Sequence, residues 1–134
     1  MKKFFAIIAV AVLLFTQLAT PVFACEPLTQ GYWKNHLCEW RNNYQTTVFD
    51  CNNGKYYWTD VINTPTNGDA WYILAHQYIA FQLNIANYAY DCGQYTQTLS
   101  EAQTLLKYGP GNIPVDLRAS AIELAEMLDG LNNQ

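Results

Sequence analysis

The chain contains two histidines, His36 and His76, and they are its first candidates for acid–base chemistry or metal binding. Each falls in a predicted helix, so packing of those two helices would bring the imidazoles together in one site. A metal site needs a third ligand, for which Glu39 and Asp69 are the acidic candidates. The alternative is a pair of structural histidines, each held by a hydrogen bond at the seam between two helices. We favour that alternative and predict no metal and no cofactor.

Cysteine is the second residue type that could do chemistry. An even number of cysteines in an exported chain indicates disulfides, and four of them allow three connectivities. The cysteines are Cys25, Cys38, Cys51 and Cys92. We predict that Cys25 pairs with Cys38 and Cys51 with Cys92, with Cys38–Cys92 and Cys25–Cys51 as the main alternative. No close Cys-x-x-Cys spacing points to zinc.

Catalytic motifs give little further support for an enzyme. The sequence has no Gly-x-Ser-x-Gly elbow, no His-Glu-x-x-His helix and no Gly-rich phosphate loop. A small secreted hydrolase that uses His36, His76 and an acidic residue remains the alternative hypothesis. Whether the chain is an enzyme is left open, and we consider a non-enzymatic role the better interpretation.

Aromatic residues are unusually frequent and suggest a binding role. Four Trp and ten Tyr follow residue 24, and such side chains combine a large apolar face with a polar tip that suits binding surfaces. The densest cluster is Tyr56-Tyr57-Trp58, which we take as the candidate binding surface, although a role in the core is an equal alternative. Trp33, Trp40 and Trp71 have helical spacing and are expected in the core.

The first 24 residues predict where the protein works. Lys2 and Lys3 precede an apolar run from Phe4 to Phe15, and small residues stand at the end of the segment. This pattern is typical of a secretory signal peptide. We therefore expect residues 1–24 to be removed and the protein to be secreted or held at the cell surface. A lipid anchor on Cys25 is the minority alternative.

The remaining residues, 25–134, have the size of one domain. They carry five basic and eleven acidic residues, a formal charge of −6. Nucleic acids and anionic membranes both need a basic surface, so this charge argues against either as a partner. We expect a single helical domain with no transmembrane segment after removal of the signal peptide.

Hydrophobic periodicity in the first part predicts a helix over residues 32–43. Two β-prone runs, 46–51 and 55–58, flank Asn52-Asn53-Gly54. Asn-Gly is the usual hairpin signal because both turn positions need positive φ. Residues 60–63 predict one helical turn that Pro65 ends.

The second part predicts three helices. Residues 69–90 have an apolar arc covering more than half the circumference, which is typical of a central helix. Gln82 falls inside that arc and needs a hydrogen-bond partner, whereas Gln77 and Asn84 are expected on the polar side. Thr98-x-x-Glu101 predicts a capping box that opens the next helix. A last helix begins near Pro114, and its core stripe is Leu117, Ala121, Leu124, Leu128 and Leu131. The expected fold is mainly α, a small disulfide-stapled helical domain with a short hairpin near its N-terminus.

The segment Thr29-Gln30-Gly31-Tyr32-Trp33-Lys34-Asn35-His36 resembles the signature of a group of secreted bacterial and archaeal modules, named here by their Gly-Tyr-Trp-Lys-Asn-His motif. The likeness continues through residues 63–65, 74–80, 83–84 and 125–133. It implies an extracellular, disulfide-containing module, and the group has no established activity. Related chains continue to a Gly-rich tail ending in His-Cys, so the present chain departs from the pattern at Gln134 and lacks an expected partner for Cys25.

Together these patterns predict an extracellular or cell-surface module that binds a glycan, a protein or its own copies. Within the signature motif, Gly31, Tyr32, Trp33 and His36, with His76, are expected to be structural before they are functional. Gly31 permits a backbone turn into the first helix. Trp33 and Trp40 lie seven residues apart, and we expect both to lie across the central helix near Trp71 and Tyr78.

Overall fold

The computed structural model describes residues 26–41, 43–87, 89 and 93–134. The predicted signal peptide, Cys25 and Cys92 lie outside these ranges. The described part is mainly helical with one two-stranded antiparallel sheet. In chain order the elements are α1 Gln30–Asn35, β1 Val48–Cys51, β2 Gly54–Tyr57, α2 Trp58–Asn63, α3 Ala70–Ala86, α4 Thr96–Leu106 and α5 Arg118–Asn132, with short 3₁₀ turns at Leu37–Glu39, Tyr44–Thr46 and Val115–Leu117.

Helix α3 is the centre of the molecule, as its sequence predicts. It packs against α1, α2, α4 and α5, and its buried residues lie on every side. The Asp69 carboxylate caps its first turn by accepting from Trp71 N at 2.8 Å. Gln82, expected to need a partner inside the apolar arc, donates to Tyr78 Oη at 3.0 Å. Asn84, however, is 1 % exposed, so its predicted place on a solvated polar face is wrong.

The hairpin predicted from the Asn-Gly pair is confirmed, but Asn53-Gly54 does not form its turn. Cys51 pairs with Gly54 across the two strands, so Asn52 and Asn53 form the turn. Gly54 has φ +146°, a conformation that side chains rarely adopt. The turn docks on the end of α4, where Asn52 N donates to Lys107 O at 2.8 Å. A Cβ atom at Gly109 would collide with the Asn53 side chain there. These contacts fix the hairpin beside α4.

The first helix is shorter than its periodicity predicts and ends at Asn35 rather than near residue 43. Two side chains take over the carbonyls that a longer helix would use. Asn35 Nδ2 donates to Gly31 O at 2.9 Å, and His36 Nδ1 donates to Tyr32 O at 2.8 Å. Because side-chain donors compete with backbone donors for these oxygens, the helix stops there.

Helices α4 and α5 are present where the sequence predicts helices, but their first residues differ from the prediction. Helix α4 begins at Thr96 without a side-chain cap, so the predicted capping box at Thr98 is wrong; Glu101 instead accepts from Gln97 within the helix. Pro114 precedes a 3₁₀ turn, and α5 follows directly. Its predicted core stripe is confirmed by Ala121, Leu124 and Leu128, which are buried.

The disulfides stay a prediction. Cys38 and Cys51 are free thiols, Cys38 exposed and Cys51 half-buried. No disulfide joins two residues of the described ranges, and the predicted partners Cys25 and Cys92 lie outside them. Stapling of the fold is therefore not seen. Within the ranges that the structure covers, none of the helices has the length and apolarity needed to cross a bilayer.

Candidate functional site

A pocket of about 250 Å³ lies where the hairpin meets α2, α3 and α4. Strand β1 contributes Phe49 and Asp50, and Trp58 is the first residue of α2. Tyr78 comes from the middle of α3 and Gln103 from α4. The volume lies just below the usual range for ligand pockets, about 300–1,000 Å³. The pocket therefore fits a small group rather than a long chain.

Aromatic packing holds the floor of this pocket in place. The ring centroids of Phe49 and Trp58 are 5.5 Å apart, and those of Trp58 and Tyr78 are 6.0 Å apart in an edge-to-face arrangement. Phe49 also meets the edge of Trp71 at 5.3 Å. These separations fall within the favourable range for aromatic pairs, about 4.5–7 Å. These contacts therefore fix the positions of the rings that line the pocket.

Trp58 Nε1 is the one buried side-chain nitrogen or oxygen of the described residues that has no hydrogen-bond partner. The other three indoles of the chain all donate: Trp33 to Asn84 Oδ1 at 3.1 Å, Trp40 to Trp33 O at 3.0 Å and Trp71 to Leu106 O at 2.8 Å. Trp58 is only 5 % exposed, and a buried donor without a partner costs about 1–3 kcal/mol. The Trp58 side chain lines the pocket, while its Nε1 atom is fully buried.

The Tyr78 hydroxyl is a second donor at the same place. Its oxygen accepts from Gln82 Nε2 at 3.0 Å and from Gln103 Nε2 at 2.6 Å. Burial raises the pKa of Tyr78, although the two amides partly oppose this effect. The phenol therefore stays protonated and able to donate at neutral pH.

Charged groups stand only at the mouth of the pocket. Lys107 and Asp50 both line it and are exposed, and Asp50 also lies 3.9 Å from Lys55 Nζ. The Cys51 thiol is not a nucleophile here, because burial, with a smaller effect of Asp50, raises its pKa to about 11. Its Sγ instead donates to Leu106 O at 3.1 Å. The charged side chains of the lining are thus exposed, and the buried part of the lining is aromatic and apolar.

The predicted Tyr56-Tyr57-Trp58 cluster does not form one surface. Tyr57 is 52 % exposed, whereas Trp58 is buried in the core. Tyr56 is half-buried, with its ring 5.6 Å from that of Trp71. Only Trp58 lines the pocket. Trp33, Trp40 and Trp71 are buried as predicted.

The two histidines have separate partners. His36 stacks on Tyr32 with ring centroids 3.9 Å apart, and its Nδ1 donates to the Tyr32 carbonyl. His76 is buried, and its Nε2 donates to Val61 O at 2.8 Å. Burial lowers the pKa of His76, the Val61 carbonyl partly opposes this, and Lys34 adds to the lowering. Both imidazoles are therefore held by backbone oxygens: His76 lies at the predicted seam between two helices, whereas His36 bonds its own helix.

The acidic candidates for a third ligand are engaged elsewhere. Glu39 accepts from Tyr32 Oη at 2.5 Å. The Asp69 carboxylate accepts from Trp71 N and from Gly111 N, each at 2.8 Å. Among the residues that the structure describes, no group of three His, Cys, Asp or Glu side chains is arranged to hold a metal ion.

A buried network of amides connects distant segments of the chain. Asn84 Oδ1 accepts from Leu28 N at 2.8 Å and from Trp33 Nε1 at 3.1 Å. Its Nδ2 donates to Leu28 O and to Asn132 Oδ1, both at 2.9 Å. Asn132 Nδ2 in turn donates to the backbone and side-chain oxygens of Gln77, at 3.1 and 3.0 Å. This network, the amide hub, joins the N-terminal segment, α3 and the end of α5.

The prediction that Trp33 and Trp40 lie across α3 near Trp71 and Tyr78 is wrong. Trp33 reaches Asn84 near the end of α3, and Trp40 follows it by donating to its carbonyl. Phe49 and Trp58 take the places beside Trp71 and Tyr78 instead. The reason is the early end of α1, which removes the common helical face that the seven-residue spacing assumed.

Sequence reasoning missed the polar residues of the pocket and of the amide hub. They are Tyr78 and Gln103 in the pocket, and Asn84 and Asn132 in the hub. Asn84 and Asn132 stood in motif segments without an assigned role. Tyr78 was assigned to the apolar face of α3, and a buried tyrosine hydroxyl generally needs a partner, so its type carried a usable signal. Gln103 gave none.

No protein-family model matches the chain, and no curated protein or solved structure is significantly similar to it.

Proposed function

We propose that this protein is an extracellular or cell-surface interaction module that holds its ligand in the pocket between the hairpin and α4, without catalysis. One observation carries the proposal: a pocket of about 250 Å³ lies between the hairpin, α3 and α4, and the aromatic rings that line it pack against one another.

The setting of the pocket supports a binding role. Its floor is fixed by aromatic packing between β1, α2 and α3, so a ligand meets a surface that needs little rearrangement. Export rests on the signal-peptide pattern of residues 1–24, and the resemblance to the Gly-Tyr-Trp-Lys-Asn-His modules agrees with it. The partner classes we retain are a glycan, a protein or a second copy of the chain.

The hydrolase alternative gains no support from the geometry. His36 and His76 each give a ring N–H to a separate backbone carbonyl, and Glu39 and Asp69 are engaged with other donors. Each imidazole still has a second ring nitrogen, but a general base also works with a positioned carboxylate, and Glu39 and Asp69 accept from Tyr32, Trp71 and Gly111 instead. We therefore keep binding as the conclusion.

The four indole N–H groups provide a direct test by proton–nitrogen NMR. The Trp58 resonance is assigned by its loss in Trp58→Phe, and the ¹⁵N-labelled protein is then titrated with sugars, acetylated peptides and itself by dilution. We expect a saturable shift of the Trp58 resonance with one of these probes, while the other three indoles, already hydrogen-bonded, move little. If every probe leaves the Trp58 resonance unmoved, the pocket is not the binding site and the proposal is wrong.

A further inference from the structure

Resting on the proposed function, we infer that the pocket receives an extended segment of a protein partner, which adds to the outer edge of β1 and inserts one apolar side chain. Three observations carry the inference: the position of the pocket along a strand edge, the unpaired backbone groups of that edge, and the lining of the interior. Together they favour a protein over a glycan.

The pocket runs along the outer edge of β1. All four residues of that strand, Val48–Cys51, line it, and no residue of β2 does. The opposite wall is the end of α4, with Gln103, Leu106 and Lys107. Asn52 N donates to Lys107 O at 2.8 Å and so closes the edge at its turn end. An incoming segment would therefore lie between β1 and α4.

The backbone of β1 offers hydrogen bonds on that edge. Trp58 N donates to Thr47 O, and in an antiparallel pair the bonded positions alternate along each strand. The odd-numbered residues of β1 are therefore bonded to β2, and the N–H and C=O groups of Val48 and Asp50 point away from it. Among the described residues, none of these groups has a partner. An extended peptide binds such an edge by adding to it as a further strand.

Two oxygen atoms of the lining residues already accept two hydrogen bonds each within the fold. Tyr78 Oη accepts from two side-chain amides. Leu106 O accepts from Trp71 Nε1 and from Cys51 Sγ. A sugar hydroxyl in the pocket would find neither oxygen free as an acceptor, and a polar group that loses its bonds to water without replacement is costly to bury. The interior therefore disfavours a sugar.

The buried part of the lining suits an apolar side chain instead. Its members are Phe49, Trp58, Tyr78 and Leu106. The volume of about 250 Å³ lies below that of most ligand pockets, so it fits one side chain rather than a whole ligand. Asp50 and Lys107 are exposed at the mouth. A partner with opposite charges flanking its apolar residue would complement both of them.

The test follows the backbone amides of the protein by NMR while capped pentapeptides are added. The peptides carry Leu, Phe, Ala or Asp between two pairs of threonines, because threonine favours an extended backbone. We expect saturable shifts of the Val48 and Asp50 amides, while the Phe49 and Cys51 amides, already bonded to β2, move little. The Leu and Phe peptides should bind at least about tenfold more tightly than the Ala peptide, since they bury more apolar surface. The Asp peptide should bind most weakly.

Two matched proline variants separate the strand edge from the rest of the surface. Val48→Pro removes an N–H that points away from β2, and Thr47 before it already has the extended backbone that a following proline requires. We expect this variant to bind the Leu peptide about tenfold more weakly. Val115→Pro also follows an extended residue, Pro114, at an exposed position outside the pocket, and it should leave the affinity unchanged. Near-ultraviolet circular dichroism checks that each variant is folded, and the wild-type amide pattern decides the question even where Val48→Pro is not.

The possible outcomes distinguish the inference from the proposed function. Peptide binding without shifts at Val48 and Asp50, or with equal affinity for the Ala and Leu peptides, would overturn the inference and leave the pocket as the binding site. Shifts of the Trp58 indole with glucose or N-acetylglucosamine oligomers and with no peptide would overturn it in favour of a glycan. The same shifts on dilution of the protein alone would overturn it in favour of a second copy. If no probe moves any resonance of the pocket, the proposed function fails as well.

Discussion

Helix α3 packs against two buried polar places, one in which the hydrogen-bond donors have partners and one in which a donor has none. Near its C-terminal end, the amide hub satisfies Asn84, Asn132 and the indole of Trp33 with partners in three separate segments. Near its middle, α3 packs beside Trp58, whose Nε1 has no partner. Both places are buried and aromatic, so burial alone does not separate structure from function.

The amide hub and the hairpin pocket differ in whether their buried hydrogen-bond donors have partners. A fully bonded buried network rigidifies a core, and removing one member leaves the others without partners. A buried donor without a partner only costs free energy. The amide hub, at the structural end of α3, therefore stabilises the fold, whereas the Trp58 indole N–H does not.

The largest expected effect is at the structural end. Trp33 is 1 % exposed, and Trp33→Ala should lower the free energy of unfolding by about 3–5 kcal/mol, the usual loss for emptying an aromatic core site. Tyr57→Ala, at an exposed position in the hairpin, is the control and should change it by less than about 0.5 kcal/mol. Chemical denaturation measures both. A Trp33→Ala protein of unchanged stability that loses its ligand would move the binding site to the motif.

Adjacent asparagines at the end of α5 give the next largest effect. Asn132 is fully buried in the amide hub, whereas Asn133 is exposed and its side chain bonds Asp129 within the same helix. Asn132→Ala removes one acceptor of the Asn84 amide and the donor to two Gln77 oxygens, and it should destabilise the protein by about 2 kcal/mol or more. Asn133→Ala should cost only a few tenths. Equal losses in thermal unfolding would show that the hub adds nothing to stability.

A pair of tryptophans compares the two ends most directly. Trp71→Phe and Trp58→Phe remove the same atoms from buried sites, but only the Trp71 indole has a partner, Leu106 O at 2.8 Å. Trp71→Phe should therefore be the more destabilising, by about 1 kcal/mol. Denaturant midpoints measured without ligand provide the comparison. The reverse order would indicate that Trp58 has an acceptor in the free protein.

The sequence predicts the helical frame well because apolar periodicity reports burial. Helix α3 and the stripe of α5 follow directly from it, and the hairpin follows from its turn residues. Periodicity does not show which distant segment covers a polar residue. Asn84 was therefore assigned to the polar side of α3, although Leu28 N donates to its side chain. It also gave no warning that side-chain donors at Asn35 and His36 would end α1.

The candidate site could be predicted only in part. Tyr56-Tyr57-Trp58 marked the correct hairpin, but the chain passes from strand to helix at Trp58, which sends that side chain inward while Tyr57 stays exposed. The pocket also needs Tyr78 and Gln103 from two other helices. Their meeting depends on how α3 and α4 pack, which a single sequence does not encode in any local pattern.

The smallest expected effect is a pH dependence from His76, which bonds α2 and not the amide hub. Burial lowers the pKa of His76 below the value of about 6.5 that it has in the unfolded chain. Between the two pKa values the unfolded state binds more protons, so stability is complete above about pH 6.5 and is lost as the pH falls through the folded pKa. We expect a lower melting temperature at pH 5 than at pH 7.5, with a smaller difference in His76→Gln, which retains a donor for Val61 O. An equal pH difference in the two proteins would assign the effect to other groups.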